Sequence, residues 1–514
     1  MNQEVEMKLD RSSASQSPLR RLMTLAAIAG IGAATIPLAG VVNATPATVN
    51  SIILLVGADE SQRVVNWYAS ANTSQLVQVA PTEDLLNGAF PQGAKTFTSA
   101  VAANSVNGGF NGHAILSQLS ENTAYSYRVG GDGAWSETYA FKTRKFDGNF
   151  DFLFFGDPQI GSSGDVSKDG AGWEDTLKVA LGANPEAELL VSGGDQVETA
   201  NVEDQWTAFL APKELRSFPW VATIGNHDVG GRAYEQHLWT PNTTRSTTLY
   251  SGNPATVSGG DYWFIYKDVL FIDLNSNAYR VTATSVTDSD MAHIGFIQNV
   301  VQQHGANAKY TVLVYHHSIY SPGDHANDTD AQKRRLDFPK TFSQLGVDLV
   351  LQGHDHSYSR SYLIEDGKKQ NLDEKPGATS VFQDPGGVIF VTGNSASGSK
   401  YYPLSCPRTG STDPDCIFPR ENHGFDPLYG PDPLNTENHW PNSVENQENV
   451  RSYVKVMVRN NLLSVESIRS GTCEAPNAAV ERGNVTWCGP DGGTSPALPV
   501  GSLVDHVVMH PARH

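Results

Sequence analysis

Basic residues and cysteines are both scarce in this chain. Lys and Arg number 36 against 55 Asp and Glu over 514 residues, a formal charge of −19. A surface of that sign does not attract phosphate backbones or anionic lipid, which argues against a general nucleic-acid binder and against a binder of anionic membranes. The four cysteines, Cys406, Cys416, Cys473 and Cys488, all lie beyond residue 405, and their spacing matches no zinc module. No internal repeat or low-complexity tract is evident. The Gly-rich stretch Thr392–Gly398 lacks the Lys-Ser/Thr pattern of a phosphate loop, so it is expected to shape the rim of a cleft. No nucleophile elbow around a serine stands out.

What is present is ample core. Apolar residues make up 39% of the chain, with nine Trp, and 47 Gly and 28 Pro supply many turns. At about 150 residues per domain, the length corresponds to two or three domains. The first forty-four residues differ from the rest. Arg20-Arg21 precede an uncharged apolar run from Leu22 to Gly40, followed by Val42-Asn43-Ala44. This is the order of a secretory signal with cleavage after Ala44, and the paired arginines fit the twin-arginine route loosely. Residues 1–44 are therefore expected to be removed, leaving a secreted, periplasmic or cell-surface protein with no stable membrane insertion. In an oxidising compartment the cysteines are expected to form two disulfides, in any of three connectivities.

Residues 48–144 read as all-β. Runs at Ser51–Val56, Arg63–Tyr68, His113–Leu119 and Tyr125–Gly130 are separated by Gly, Asn, Asp and Thr clusters. Leu119 followed by Thr123–Val129 resembles the tyrosine corner of fibronectin-type sandwiches, and Trp67, Tyr68 and Trp135 are expected in the sandwich core. From about residue 150, unbroken apolar runs alternate with helical stretches at Trp173–Ala183, Thr207–Leu215 and Met291–His304. Runs without alternation are strands buried on both faces, hence a sheet covered by helices. Hairpins are expected at Asp261–Asn275 and Ser452–Ile468, a long loop insertion at 401–448, and a disulfide-containing C-terminal tail at 471–514.

The ends of those apolar runs carry the chemistry. Phe150–Phe155 ends in Gly156-Asp157-Pro158-Gln159, Leu189–Ser192 in Gly193-Gly194-Asp195-Gln196-Val197-Glu198, and Trp220–Ile224 in Gly225-Asn226-His227-Asp228. Tyr310–Tyr315 ends in His316-His317, and Val347–Gln352 in Gly353-His354-Asp355-His356. Residues just past the carboxyl ends of strands gather along one edge of an α/β sheet, where ligands bind. The glycines let the chain turn sharply there. Carboxylates mixed with imidazoles suit zinc, iron or manganese better than calcium or magnesium, and six such ligands with a bridging carboxylate suit a pair of ions.

This set, including Gly353-His354-Asp355-His356-Ser357-Tyr358-Ser359-Arg360, resembles the calcineurin-like metallophosphoesterases and, within them, the purple acid phosphatase group. The resemblance implies a fibronectin III-like N-terminal domain at 48–144 and an αββα-sandwich metallophosphoesterase domain at 150–470. It implies that Asp157 and His356 bind one metal, that Asp195 bridges both, and that Asn226, His316 and His354 hold the second, with His317 an alternative to His316. It gives His227 the role of assisting the leaving group and His325 that of facing substrate. Two departures stand out. Glu198 replaces the tyrosine that binds ferric iron and gives the purple colour, and Gln159 stands where other members of the superfamily place a histidine. Gln159 and Glu198 are therefore further candidate metal ligands, and a colourless or pale enzyme is expected. The implied activity is hydrolysis of small phosphate monoesters by a metal-activated hydroxide. A diesterase on the same site and a non-catalytic surface protein are the alternatives.

Overall fold

The computed structural model describes residues 47–131, 134–279, 288–325, 328–383, 386–402, 404, 440–471 and 498–510. The export signal, all four cysteines and most of the 401–448 insertion lie outside them. No helix among the described residues is long and apolar enough to cross a membrane.

The N-terminal region is a β-sandwich. Val49–Val56, Arg63–Ala69, Phe110–Leu116 and Ala100–Ala103 form one sheet, and Lys95–Thr98, Leu76–Pro81, Ala124–Gly131 and Ala134–Trp135 the other. The Tyr125 hydroxyl accepts the Ser120 N–H at 2.7 Å, the back-bond of a tyrosine corner. Strand alternation separates the aromatics grouped by the sequence reading. Trp67 fills the sandwich core. Tyr68 instead points away from the sandwich core and is buried against the larger region, stacking on His237 with ring centroids 4.0 Å apart and donating to Glu203 at 3.2 Å. Trp135 is only partly buried and lies beneath the Arg128 guanidinium.

The sandwich is not a separate bead. Leu55 pairs in parallel with Trp220, so its first sheet continues an eleven-stranded sheet that also contains Phe150–Phe155, Leu189–Ser192 and Trp220–Val221. The unbroken run Ile52–Val56 explains this junction. Ile52 and Leu54 pack into the sandwich, while Ile53 and Leu55 pack among the helices of the larger region. Both faces of this strand are buried, as in the parallel strands beyond it.

A second sheet faces the first, as the αββα sandwich implied by the resemblance requires. Seven strands, including Tyr262–Tyr266, Val269–Leu274, Tyr310–Tyr315, Leu349–Gln352 and Ile389–Thr392, stack on the eleven-stranded sheet. Phe152, Phe154 and Val191 meet Val312, Val314 and Leu351 between them. Outside, helices Val166–Ala183 and Glu203–Phe209 cover Leu153 and Phe155, while Asp288–His304 and Thr329–Gln344 cover Leu313 and Tyr315. The order is therefore α–β–β–α. Val166–Ala183 begins well before the expected Trp173, capped by Asp165, whose carboxylate accepts the Lys168 N–H at 3.0 Å. The expected Thr207–Leu215 helix stops at Phe209, and a 3₁₀ turn follows at Lys213–Arg216, after Pro212. Thr329–Gln344 escaped sequence reading because its buried face carries Arg334 and Pro339 beside Phe338 and Phe342.

The C-terminal segment is not simply a tail. Leu503–His510 lies in the main sheet, antiparallel to Leu462–Arg469 and parallel to Ser380–Phe382, with Val507 and Met509 in the core. The Tyr358-x-Arg360 end of the last motif anchors it. The Tyr358 hydroxyl donates to Asp505 Oδ2 at 2.7 Å, and Arg360 contacts both oxygens of Asp505 at 2.6 and 3.1 Å. Both side chains are buried, so removing one leaves a charge without compensation. Asp505→Ala is expected to cost about 3–5 kcal/mol, read as a lower midpoint of thermal unfolding. An unshifted midpoint would remove this pair from the forces holding the strand.

Candidate metal centre

The five motif loops leave the carboxyl ends of strands in both stacked sheets, not one. Phe150–Phe155, Leu189–Ser192 and Trp220–Val221 are parallel neighbours in the larger sheet, and Tyr310–Tyr315 and Leu349–Gln352 are parallel neighbours in the smaller. The functional residues themselves carry much of the sharp turning. Asp157 has φ +36°, Asp195 +48°, His354 +77° and His356 +42°. Such conformations are costly for non-glycine residues and persist only where the surroundings enforce them. The motif glycines supply room. A Cβ on Gly225 would lie 1.9 Å from Asp195 Oδ1, and one on Gly194 would lie 2.3 Å from His316 Nδ1.

His316 stands at the focus of one donor set. Its Nε2 lies 2.9 Å from Asn226 Oδ1, 3.3 Å from Asp195 Oδ2 and 3.2 Å from His354 Nδ1. A shell with bonds of about 2.1 Å has donor–donor edges of roughly 3.0–3.4 Å, so these spacings fit a bound ion. His316 Nδ1 is 2.8 Å from the Gly193 carbonyl, which assigns the proton to Nδ1 and leaves Nε2 as the donor atom. The second set lies beside the first. Asp157 Oδ1 is 3.8 Å from His356 Nε2, and His356 Nδ1 faces the Lys400 carbonyl at 3.0 Å. Asp157 also accepts the His354 N–H at 2.9 Å, linking the two sets.

Burial makes this grouping electrostatically incomplete. It holds Asp157 well above the ordinary carboxylate range, despite the nearby His316. Burial also acts to raise Asp195, but His316 and His227 outweigh it and keep that carboxyl below its usual range. It pulls His316 down, yet Asp195 and Asp157 lift this imidazole to about 10. His354 and His356 are driven far below the usual histidine value by burial and neighbouring cationic groups. Buried carboxyl and amide oxygens converging with imidazole nitrogens, of which those of His354 and His356 are kept neutral by burial, fit resident cations. Asp157, Asp195 and His356 would hold one, and Asp195, Asn226, His316 and His354 the other.

The remaining candidates divide. His227 lies at the edge of the group with its side chain 27% exposed. Its N–H donates to Asp195 Oδ1 at 2.9 Å, and its Nδ1 faces the Glu198 carbonyl at 2.8 Å. Glu198 Oε2 accepts from Gln159 Nε2 at 2.7 Å. His317 is held by Ser276 Oγ, 2.7 Å from its Nδ1. His325 stacks near His354 with centroids 4.1 Å apart, and its Nδ1 lies 2.9 Å from Asp328. Burial lowers His325, but Asp328 and other acidic neighbours raise it to about 9.

Sequence reasoning missed the groups that fasten these loops. Buried Asp228 accepts the N–H of Gly225 at 2.9 Å and of Gln196 at 3.0 Å, tying the second loop to the third. Its place beside the paired Asn226-His227 was the available signal. Asp355 likewise accepts the His325 N–H at 2.9 Å. The Gly-rich stretch after Thr392 is a buried clamp, not a rim. Ser395 donates to the Asp157 carbonyl and Ser399 to that of Pro158, each at 3.3 Å.

Comparison with known proteins agrees with this architecture. Residues 49–143 match the family model described as purple acid phosphatase, N-terminal domain, and 150–358 that described as calcineurin-like phosphoesterase. Phosphoenolpyruvate phosphatase of Allium cepa is 23% identical over 271 residues, covering 50% of this chain and 51% of its own length. Purple acid phosphatase 1 of Ipomoea batatas is 22% identical over 290 residues, covering 55% and 58%. The chain thus spans about half the length of the curated relatives it matches. The solved structure of purple acid phosphatase PPD1 from yellow lupin (Lupinus luteus) seeds shares the fold with a TM-score of 0.63 and 14% identity, over 90% of this chain and 75% of that one.

Gly225→Ala is expected to displace Asp195 and leave fewer than two ions per chain after dialysis, counted by plasma mass spectrometry. Gly182→Ala is the control, because a Cβ there meets nothing within 4 Å. Full metal retention by Gly225→Ala would contradict the close packing assigned to that glycine.

Proposed function

We propose that this chain, which belongs to the calcineurin-like phosphoesterases and carries a purple acid phosphatase N-terminal domain, is a secreted dimetal phosphatase acting on small phosphate monoesters. One observation carries the reading: His316 Nε2 lies within 3.3 Å of Asp195 Oδ2, Asn226 Oδ1 and His354 Nδ1, with Asp157 next to its Nδ1 at 3.8 Å, and Asp195 accepts the His227 N–H. When bound, two borderline cations lower the pKa of water and offset charge on phosphoryl oxygens. Zinc, manganese and iron are the ions this oxygen–nitrogen donor mixture suits.

The protein's own groups do the rest. The Glu198 carbonyl fixes the His227 proton on Nδ1, leaving Nε2 to hold or release a proton at the ester oxygen. The backbone contact to Asp195 keeps that ring beside the metal site. Charged His325, held by Asp328, offers a cationic face to an anionic ester. The negative surface is compatible with this, because cations in a recessed site reverse the charge locally while the exterior stays acidic. Relatives named for phosphatase activity, one of them for phosphoenolpyruvate, support the monoester class. The signal-like residues 1–44 support secretion.

His227→Ala is expected to cut turnover of a phenyl phosphate monoester by roughly 10²–10⁴-fold while metal content is unchanged. The alanine keeps the N–H that Asp195 accepts, which separates loss of the ring from loss of the site. A near-wild-type rate would refute the proton-transfer role. Faster hydrolysis of a bis-phenyl ester than of the monoester would replace this reading with a diesterase.

A further inference from the structure

Gln159 combines three features that its position in a turn does not require. It is completely buried two residues after Asp157, with a left-handed backbone of φ +36°. Its backbone N–H donates to the Asp195 carbonyl at 2.7 Å, seating the residue against the shared-carboxylate loop. Its side-chain Nε2 donates to Glu198 Oε2 at 2.7 Å, while its Oε1 is buried with no hydrogen-bond partner among the described residues. The Glu198 carboxylate oxygen accepts this bond, so the NH₂ end of the amide faces it. Oε1 is therefore committed to the opposite direction.

Within the reading of a dimetal phosphatase, we infer that the Gln159 amide oxygen is the further protein ligand of the ion held by Asp157, Asp195 and His356, and that Glu198 is the positioning residue that aims it. A buried carbonyl oxygen without a hydrogen bond bears a desolvation penalty, which a bound cation removes. The pairing also explains how the two departures at these positions belong together. Glu198 does not replace a phenolate as a ligand; it takes the amide hydrogens and turns a neutral oxygen toward the ion. With the shared Asp195, this ion then has two carboxylates, an amide and an imidazole around it. That lower anionic charge favours a divalent ion over a ferric one. The same Glu198 supplies the carbonyl that holds His227, so one residue orients both a ligand and the proton-transfer group.

The test uses the full chain, stripped by chelation and titrated with cobalt(II), with bound metal counted and the ligand-field spectrum recorded. Wild type is expected to bind two ions per chain. Gln159→Leu and Glu198→Ala are each expected to weaken one of the two by about 10–100-fold and change the cobalt spectrum. The double variant Gln159→Glu with Glu198→Gln restores the hydrogen-bonded pair with a carboxylate ligand, and is expected to recover two tightly bound ions. Wild-type affinity and spectrum in Gln159→Leu would overturn the inference while leaving the dimetal reading intact. Should Gln159→Leu fail to fold, unchanged binding by Glu198→Ala overturns the inference equally. Wild type binding fewer than two ions would overturn both.

Discussion

The buried Asp195 carboxylate is the group on which the site's geometry converges. Oδ1 accepts the His227 N–H, Oδ2 approaches His316 Nε2, and the residue's own carbonyl accepts the Gln159 N–H. Three loops are thereby fixed to one residue. A buried carboxylate needs compensation, and His316 and His227 supply part of it. The strand before it, Leu189–Ser192, is flanked by parallel strands on both sides, so its end is held by ladder hydrogen bonds along both edges. Asp228, the Gly-rich clamp and the absent Cβ of Gly225 all serve the close approach of loops around that point.

Stacking two sheets makes this convergence possible. Strands of a single sheet present their ends along a line, whereas two stacked sheets present ends on opposite sides of a cleft. His316 and His354 approach from the smaller sheet, Asp157, Asp195 and Asn226 from the larger. The apolar layer of Phe152, Phe154, Val191, Val312 and Leu351 between the sheets sets the separation over which these side chains reach one another. Left-handed backbone at four of the six donors is strain that this packing sustains. The sandwich adds to the same framework through the Leu55–Trp220 pair and the Tyr68–His237 contact.

Local patterns in the sequence were read well where burial repeats regularly. Phe150–Phe155, Leu189–Ser192 and Tyr310–Tyr315 begin and end where their apolar runs do. The hairpin expected at Ser452–Ile468 forms, with Arg459 paired to Leu462 across its turn. Long-range pairings were not legible. Nothing local in Leu503–His510 tells that Asp505 meets Arg360, and helix Thr329–Gln344 buries too few large apolar side chains to show a stripe. In the site, spacing at strand ends revealed the donors because each motif carries its chemistry in two or three adjacent residues. Gln159 and Glu198 were visible only as departures. Their relation is a side-chain hydrogen bond across thirty-nine positions, which no periodicity encodes.

An anomalous-difference map from crystals of the full chain grown with manganese or zinc addresses the centre most directly. Two peaks are expected on either side of Asp195, about 3.5–4 Å apart, one beside Asp157 and His356 and the other beside Asn226, His316 and His354. A single peak, none, or density confined to His325 and Asp328 would contradict the dimetal site.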